Sequence, residues 1–137
     1  MAEKRLPVRL EPDAKLGDDN DVDVLKANHH GSDTSNGREF VQALDPEVVV
    51  VSADYRSDYK LPKLVSLKQF IEAGAIVYVT GDGLAPNGRF AQSSVSEDNG
   101  YTPPDGTVFN QAGDVHILVS RDGTRYRVFG AGAWKEF

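Results

Sequence analysis

Four consecutive valines, Val48–Val51, constrain the fold of this chain more than any other feature. β-Branched residues favour extended backbone, and a strand that is apolar on both faces is typical of a sheet covered on both sides. Strands with one solvated face alternate apolar with polar residues instead. The run therefore predicts a central strand with other elements packed against each face.

The segments around this strand continue the pattern of strand and helix. Apolar segments over 22–27 and 76–80 have strand character, and the first ends at Asn28. Two apolar stripes with helical spacing lie between the strands: Phe40, Val41 and Leu44, then Leu64, Leu67, Phe70 and Ile71. The order strand, helix, strand, helix, strand predicts right-handed crossovers and a parallel sheet with loops at the carboxyl ends of its strands.

The remaining segments are predicted to be less regular. Residues 1–20 are polar and form an irregular lead-in, whereas 81–113 are rich in Gly, Pro, Asn and Ser and form a long loop with little regular structure. Apolar residues alternate again from Val115, and Asp122-Gly123 indicates a two-residue hairpin turn. We therefore expect an α/β domain over 21–137 that ends in an antiparallel hairpin.

The composition limits which partners and which metal ligands we expect for this chain. The 137 residues include 21 acidic and 15 basic side chains, a net charge of −6, without a basic run, which argues against autonomous nucleic-acid binding. Because there is no cysteine, only His, Asp or Glu can bind a metal. No apolar stretch is long enough for a signal peptide or a membrane span, so we expect no membrane partner and, for the chain as written, a cytoplasmic location.

Two adjacent histidines, His29 and His30, follow the first predicted strand and precede Gly31. Imidazole is a suitable ligand for zinc, manganese or iron, a strand end fixes its position, and glycine allows a sharp turn. A bare histidine pair is more often structural or surface-exposed than metal-binding. The hydroxyl side chains of Ser32, Thr34 and Ser35 are candidates for orienting the imidazoles, although helix capping is the more ordinary role of Ser35.

Residues 23–35 and 40–52 resemble the last metal motif of the metallo-β-lactamase superfamily, and residues 67–75 and 77–80 resemble the next helix and strand of those domains. Within that superfamily, these residues resemble the hydrolase domain of bacterial DNA-uptake competence proteins and the choline-phosphate esterases. It implies the C-terminal half of an αββα sandwich, with a mixed sheet, two helices and a C-terminal β-hairpin. It also implies that one histidine of the pair binds zinc or manganese in a dinuclear site that activates water for attack on a phosphate ester, or on another ester or amide. We expect His29 to be the ligand and His30 either to support the ligand shell or to face the substrate, and the opposite assignment is nearly as well supported.

The chain also departs from that family. The His-x-His-x-Asp-His cluster of the N-terminal half is absent, and Leu61 stands where relatives often have a histidine before proline. Asp18 does not have the spacing or the preceding strand of the family's bridging aspartate. We therefore expect the remaining ligands to come from a missing N-terminal half or a second chain, and substrate specificity to lie largely there and in the 81–113 loop.

Three further residues are weaker candidates for a functional role. His116 in the last hairpin is expected to be exposed or hydrogen-bonded rather than a ligand, and Asp54 to act as a turn acid despite following a strand end. Trp134 either anchors the terminus or faces a partner.

Two functions follow from the sequence. The first is an incomplete metal-dependent hydrolase, weakly active or inactive as an isolated chain. The second is a non-catalytic module with a vestigial metal loop that associates with itself as a homo-oligomer or binds a partner.

Overall fold

A computed structural model describes residues 22–93 and 101–137, so the predicted lead-in over 1–20 and Asp18 lie outside the described residues. The first sheet has four parallel strands in the order β1-β2-β3-β4. Their bounds are β1 Val24–Lys26, β2 Val48–Val51, β3 Ile76–Val79 and β4 Val108–Phe109. Helices α1, Arg38–Leu44, and α2, Leu64–Glu72, connect the first three strands. The predicted alternation of parallel strands and helices is confirmed.

The two faces of β2 contact different layers. Val49 and Val51 are fully buried in a cluster with the apolar stripes of the two helices, including Leu67 and Phe70. Val48 and Val50, on the opposite face, belong to a second cluster. Each such valine contributes roughly 1.5–3 kcal/mol by leaving water. The valine run is therefore a central strand covered on both sides, as predicted.

The second cluster joins the parallel sheet to an antiparallel one. Strands β5, His116–Val119, β6, Tyr126–Gly130, and β7, Ala133–Glu136, pair in the order β5-β6-β7. Tyr126 and Val128 of β6 pack on the first sheet. The sheets approach closely at Gly130, where an added Cβ would lie 2.6 Å from the ring of Tyr78.

The closing hairpin is confirmed, but its predicted two-residue turn is wrong. The amide of Ser120 donates to the carbonyl of Arg125 at 2.8 Å, so residues 121–124 form the loop. Gly123 has a φ of +76° in that loop and donates its amide to the Ser120 carbonyl. Asp122-Gly123 thus lies at the centre of a longer turn, because the strands stop pairing earlier than their alternation indicated.

The 81–113 segment contains more regular structure than predicted. Strand β4 pairs in parallel with β3, and the amide of Ala112 donates to the Val79 carbonyl at 2.8 Å. Residues 94–100 of this segment lie outside the described residues. A two-residue strand has too little sequence for a detectable period, and it forms because the edge of β3 offers backbone partners.

The described residues therefore form a mixed α/β structure with two helices, a parallel sheet and a three-stranded antiparallel sheet. In the part of the chain that is described, no helix has both the length and the apolar composition needed to cross a membrane.

Candidate metal-ligand loop

The histidine pair lies in a short 3₁₀ turn, Asn28–Gly31, directly after β1. Both histidines have left-handed backbone conformations, with φ of 46° at His29 and 57° at His30. Such conformations cost about 1–3 kcal/mol each and persist only where the surroundings enforce them. Two consecutive strained residues at a strand end therefore indicate that the loop holds the two imidazoles in defined positions.

Two asparagines enforce this conformation. The side-chain oxygen of Asn36 accepts the Asn28 amide at 3.0 Å, and its nitrogen donates to the carbonyls of Asn28 and Ser32, each at 2.9 Å. Asn28 donates its side-chain amide to the Ser35 carbonyl at 3.0 Å. Asn36 is only 2% exposed. These asparagines close the loop, although neither belongs to a sequence pattern that would mark it as important.

His29 contacts a buried hydroxyl. Its Nδ1 lies 2.8 Å from Oγ of Ser35, a residue that is 4% exposed. Ser35 in turn lies 3.5 Å from the hydroxyl of Thr34, which lies 3.1 Å from that of Ser32. The hydroxyls therefore form a chain that ends on the imidazole of His29.

The capping role considered for Ser35 is wrong. Helix α1 begins at Arg38, its N-cap is Gly37, and no side chain forms a cap hydrogen bond there. The sequence contains several capping residues before the helix, but the loop uses them for its own closure.

His30 has a more informative partner. Its Nδ1 lies 2.6 Å from the backbone carbonyl of Ser52, at the end of β2. A carbonyl can only accept a hydrogen bond, so Nδ1 must carry the proton and donate it. In the neutral ring, Nε2 then holds the free lone pair. A backbone carbonyl on the other ring nitrogen is the usual support of a metal-binding histidine.

Hydrogen bonds from the segment before α2 and from its first turn also hold the loop in place. The amide of Lys63 donates to the Gly31 carbonyl at 3.0 Å, and the buried Ser66 hydroxyl donates to the Ser32 carbonyl at 2.8 Å. Gly31 has a φ of +84°, and a Cβ there would lie 2.7 Å from Cβ of Pro62. Both the conformation and the close approach require glycine at this position.

Both imidazoles are exposed and border one open cleft of about 480 Å³. We call it the histidine cleft, and its lining residues are His29, His30, Ser32, Asp33, Tyr59, Leu61 and Lys63. Leu61 is 8% exposed and adds an apolar wall. The structure thus brings together the two predicted ligands and Ser32 at one rim, with Ser35 behind them.

Asp54 lies on the neighbouring rim and borders a second opening together with His30. Its carboxylate accepts hydrogen bonds from the Arg56 side chain, at 3.0 and 2.8 Å, and from the Arg56 amide at 2.8 Å. These bonds hold the pKa of Asp54 far below its usual range. The acid therefore already has a cationic partner and closes a turn.

Asp82 also acts within a turn. It accepts hydrogen bonds from the side chain of Asn110 at 2.8 Å and the amide of Leu84 at 3.0 Å, which lower its pKa. His116 is exposed in β5, and its ring centroid lies 5.9 Å from that of Phe129. Neither residue borders the histidine cleft.

The described part of the chain provides only a fraction of a metal shell. Across residues 22–93 and 101–137, no group of three or more His, Asp or Glu side chains is arranged to hold a metal ion. The paired imidazoles offer at most two ligand nitrogens, so any tightly held ion needs donors beyond this set.

Comparison with known proteins gives one informative similarity. The chain is similar to ComE operon protein 3 of Bacillus subtilis (strain 168), with 45% identity over 50 residues. Those residues are 35% of this chain and 6% of that protein, so the match covers a small part of it. No family model matches the chain, and no solved structure does.

Proposed function

We propose that this chain is the C-terminal half of a metal-dependent hydrolase of the metallo-β-lactamase superfamily, acting on a phosphoester or a related ester or amide. The supporting features are the similarity to ComE operon protein 3, the parallel strands and helices in the expected order, and the histidine loop at a strand end. The remaining metal ligands come from a missing N-terminal half or a second chain. The isolated chain is then weakly active or inactive.

The observation that carries the proposal is the hydrogen bond from His30 Nδ1 to the Ser52 carbonyl. It fixes the ring orientation and leaves Nε2 free at the rim of the cleft. The hydroxyl of Ser35 can donate or accept, so it does not fix the tautomer of His29 in the same way. We therefore assign His30 as the first metal ligand and His29 as its neighbour, in place of the assignment expected from sequence.

Two borderline nitrogen donors fit part of a zinc or manganese shell. An ion bound there would supply Lewis-acid activation of water for attack on the ester. The protein's part is to hold the His30 and His29 imidazoles in fixed orientations at an open cleft.

The layer order also supports an incomplete sandwich. The described residues place two helices, the parallel sheet and the antiparallel sheet in succession, as the two clusters of buried side chains show. An αββα sandwich has a further helical layer on the second sheet. Leu118 and Trp134, on the outer face of this sheet, are 50% and 48% exposed, which is what a missing layer would leave.

The test uses the chain reconstituted with an N-terminal half that carries the His-x-His-x-Asp-His cluster. His30→Ala should lower metal retained after gel filtration, and phosphodiester hydrolysis, by roughly 10- to 100-fold or more, as loss of a ligand or its support does. His116→Ala, an exposed histidine outside the cleft, is the matched control and should change neither. Full metal content and full activity in His30→Ala would refute the assignment of His30 as the ligand, and the same result in His29→Ala as well would refute the metal-ligand loop.

A second function is favoured by the exposed apolar residues of β5 and β7. Under this alternative the chain is a non-catalytic module that associates through the antiparallel sheet, and the histidine loop is vestigial. Persistence of the homo-oligomer when the missing half is added separates this alternative from a hydrolase fragment.

A further inference from the structure

A second cleft, of about 430 Å³, adjoins the histidine cleft and is lined by three cationic side chains. We call it the basic cleft, and its charged lining residues are Lys60, Lys63 and Arg89. No carboxylate lines it among the residues that the structure describes. For a chain with a net charge of −6, this is a local reversal of charge.

Lys63 connects the two clefts because it lines both. Its ammonium forms no ion pair or hydrogen bond within the described part of the chain. Lys60 lies over the ring of Tyr55, with Nζ 5.1 Å from the ring centroid, and likewise has no carboxylate partner among the described residues. Two cations without acidic partners therefore stand beside the proposed hydrolytic site.

The position of Arg89 is set by the core. Phe90, its neighbour, is 9% exposed and belongs to the buried cluster beneath the helices. The next residue, Ala91, pairs with Lys63 in a parallel bridge and accepts the Leu64 amide at 2.7 Å. These contacts fasten the backbone of the segment that carries Arg89 against the start of α2, so the third cation extends from a fixed stretch of backbone beside the cleft.

We propose that the basic cleft is an accessory anion subsite, and that the substrate carries a second phosphate group next to the ester cleaved at the histidines. This inference rests on the proposed function for the cleaved ester, but the subsite itself needs neither a metal nor catalysis. The reacting group would lie in the histidine cleft, the neighbouring phosphate would contact Lys60 and Arg89, and Lys63 would lie between them. Charge-assisted hydrogen bonds to phosphate oxygens provide the affinity.

The experiment is a titration of the complete 137-residue chain, without metal and at low ionic strength, followed by NMR of the backbone amides. Pyrophosphate should bind at least roughly tenfold more tightly than inorganic phosphate, because one molecule reaches both clefts. Its shifts should map to 59–63 and 87–93 together. Equal weak binding of both anions, with shifts spread over all basic residues, would overturn the proposal.

Charge-neutralising variants locate the subsite. Lys63→Gln and Lys60→Gln should each weaken pyrophosphate binding by roughly tenfold, about the effect of one charge-assisted contact. Lys68→Gln is the matched control, because Lys68 also lies 5.1 Å from a tyrosine ring centroid, that of Tyr101, but on another surface of α2. If Lys68→Gln weakens binding as much as the other two variants, the effect is general charge and the subsite is refuted.

Two further ligands identify the source of the paired phosphates. Tighter binding of a nucleoside diphosphate than of a short single-stranded oligonucleotide indicates a small-molecule substrate, and the reverse order indicates a polymer. Either order supports the subsite if Lys63→Gln weakens the binding of the tighter of these two ligands. Because metal retention is measured separately, absence of pyrophosphate binding by the unmodified chain refutes the subsite alone, whereas metal retention unchanged by His30→Ala refutes the metal-ligand assignment alone.

Discussion

Asn36 is the residue on which the loop geometry most depends. Its buried side chain donates two hydrogen bonds and accepts one, and these three bonds hold the chain on either side of the histidines. Asn36→Ala leaves the Asn28 amide and two carbonyls without these partners, so we expect the free energy of unfolding to fall by roughly 2–3 kcal/mol. Urea denaturation of both proteins measures the difference.

The control for this change is Asn87→Ala. Asn87 is exposed and accepts the Arg89 amide at 3.0 Å, so its loss should change stability by no more than about 0.5 kcal/mol. A similar small effect of Asn36→Ala would mean that the asparagines do not enforce the left-handed histidine conformations.

Sequence patterns located the histidines but not the residues that hold them. A strand that ends at a histidine pair is visible as a change from apolar to polar residues. The pairing of Asn28 with Asn36 and the contact of His30 with the Ser52 carbonyl are not visible, because they depend on loop closure and strand register. The basic cleft was missed for the same reason: Lys60, Lys63 and Arg89 form no run and meet only in the folded chain.

At the level of elements, the hairpin loop between β5 and β6 depends on one carboxylate. Asp122 accepts hydrogen bonds from the hydroxyls of Thr124 and Ser120, each at 2.8 Å, and from the Thr124 amide at 3.1 Å. These bonds lower the pKa of Asp122 from 3.8 to about 2. A depressed pKa means that the stabilisation is present above about pH 4 and is lost as the pH falls toward 2.

We therefore expect Asp122→Asn to lower the melting temperature at neutral pH, and the gap from the unmodified chain to close between about pH 4 and pH 2. Thermal unfolding across this range gives the comparison. Asp105→Asn, at an exposed acid in the turn before β4, serves as the control. A gap that stays constant down to pH 2 would show that the carboxylate does not stabilise the loop through its charge.

The elements themselves were predictable where the sequence has a long apolar run or a repeated spacing. The valine run is continuous and β-branched, and the two helical stripes show spacings of three to four residues, so β1 to β3 and both helices were found. Strand β4 has two residues and β7 is exposed along its whole length, so neither carries an apolar pattern. Their existence depends on backbone partners offered by β3 and β6.

At the scale of the whole molecule, the two sheets contact each other at Tyr126 of β6, whereas apolar side chains of β5 are exposed. The Tyr126 hydroxyl donates to the Glu47 carboxylate at 2.6 Å, and Tyr126 stacks on Phe137 with centroids 5.0 Å apart. Burial of Tyr126 and this bond to Glu47 raise the pKa of the phenol above its usual range. On β5, in contrast, Ile117 and Val119 are 43% and 58% exposed. The apolar alternation there predicted a buried face that the described residues do not cover.

This uncovered surface leads to the last prediction, which concerns association. In the cross-strand register, Leu118 and Trp134 lie on the same outer face of the antiparallel sheet, and the edge of β5 has no strand partner beyond β6 within the described residues. Apolar exposure on a sheet edge favours pairing with another copy. We expect the isolated chain to form concentration-dependent oligomers in sedimentation velocity. Replacing Leu118 and Trp134 by threonine, which preserves strand propensity, should weaken association by roughly tenfold or more.

Tyr59→Thr is the control, because Tyr59 is 77% exposed but lies at the histidine cleft, away from this sheet.

The two proposed functions then differ in one further result. If the missing half of a hydrolase covers the outer face, adding that half should dissociate the homo-oligomer and give a one-to-one complex. The reason is that the missing half and a second copy of the chain bind the same surface. If the chain is a self-associating module, the homo-oligomer should persist in its presence. A monodisperse monomer at high concentration would contradict the self-associating module and leave the hydrolase fragment, whose own test is the metal content of the reconstituted protein.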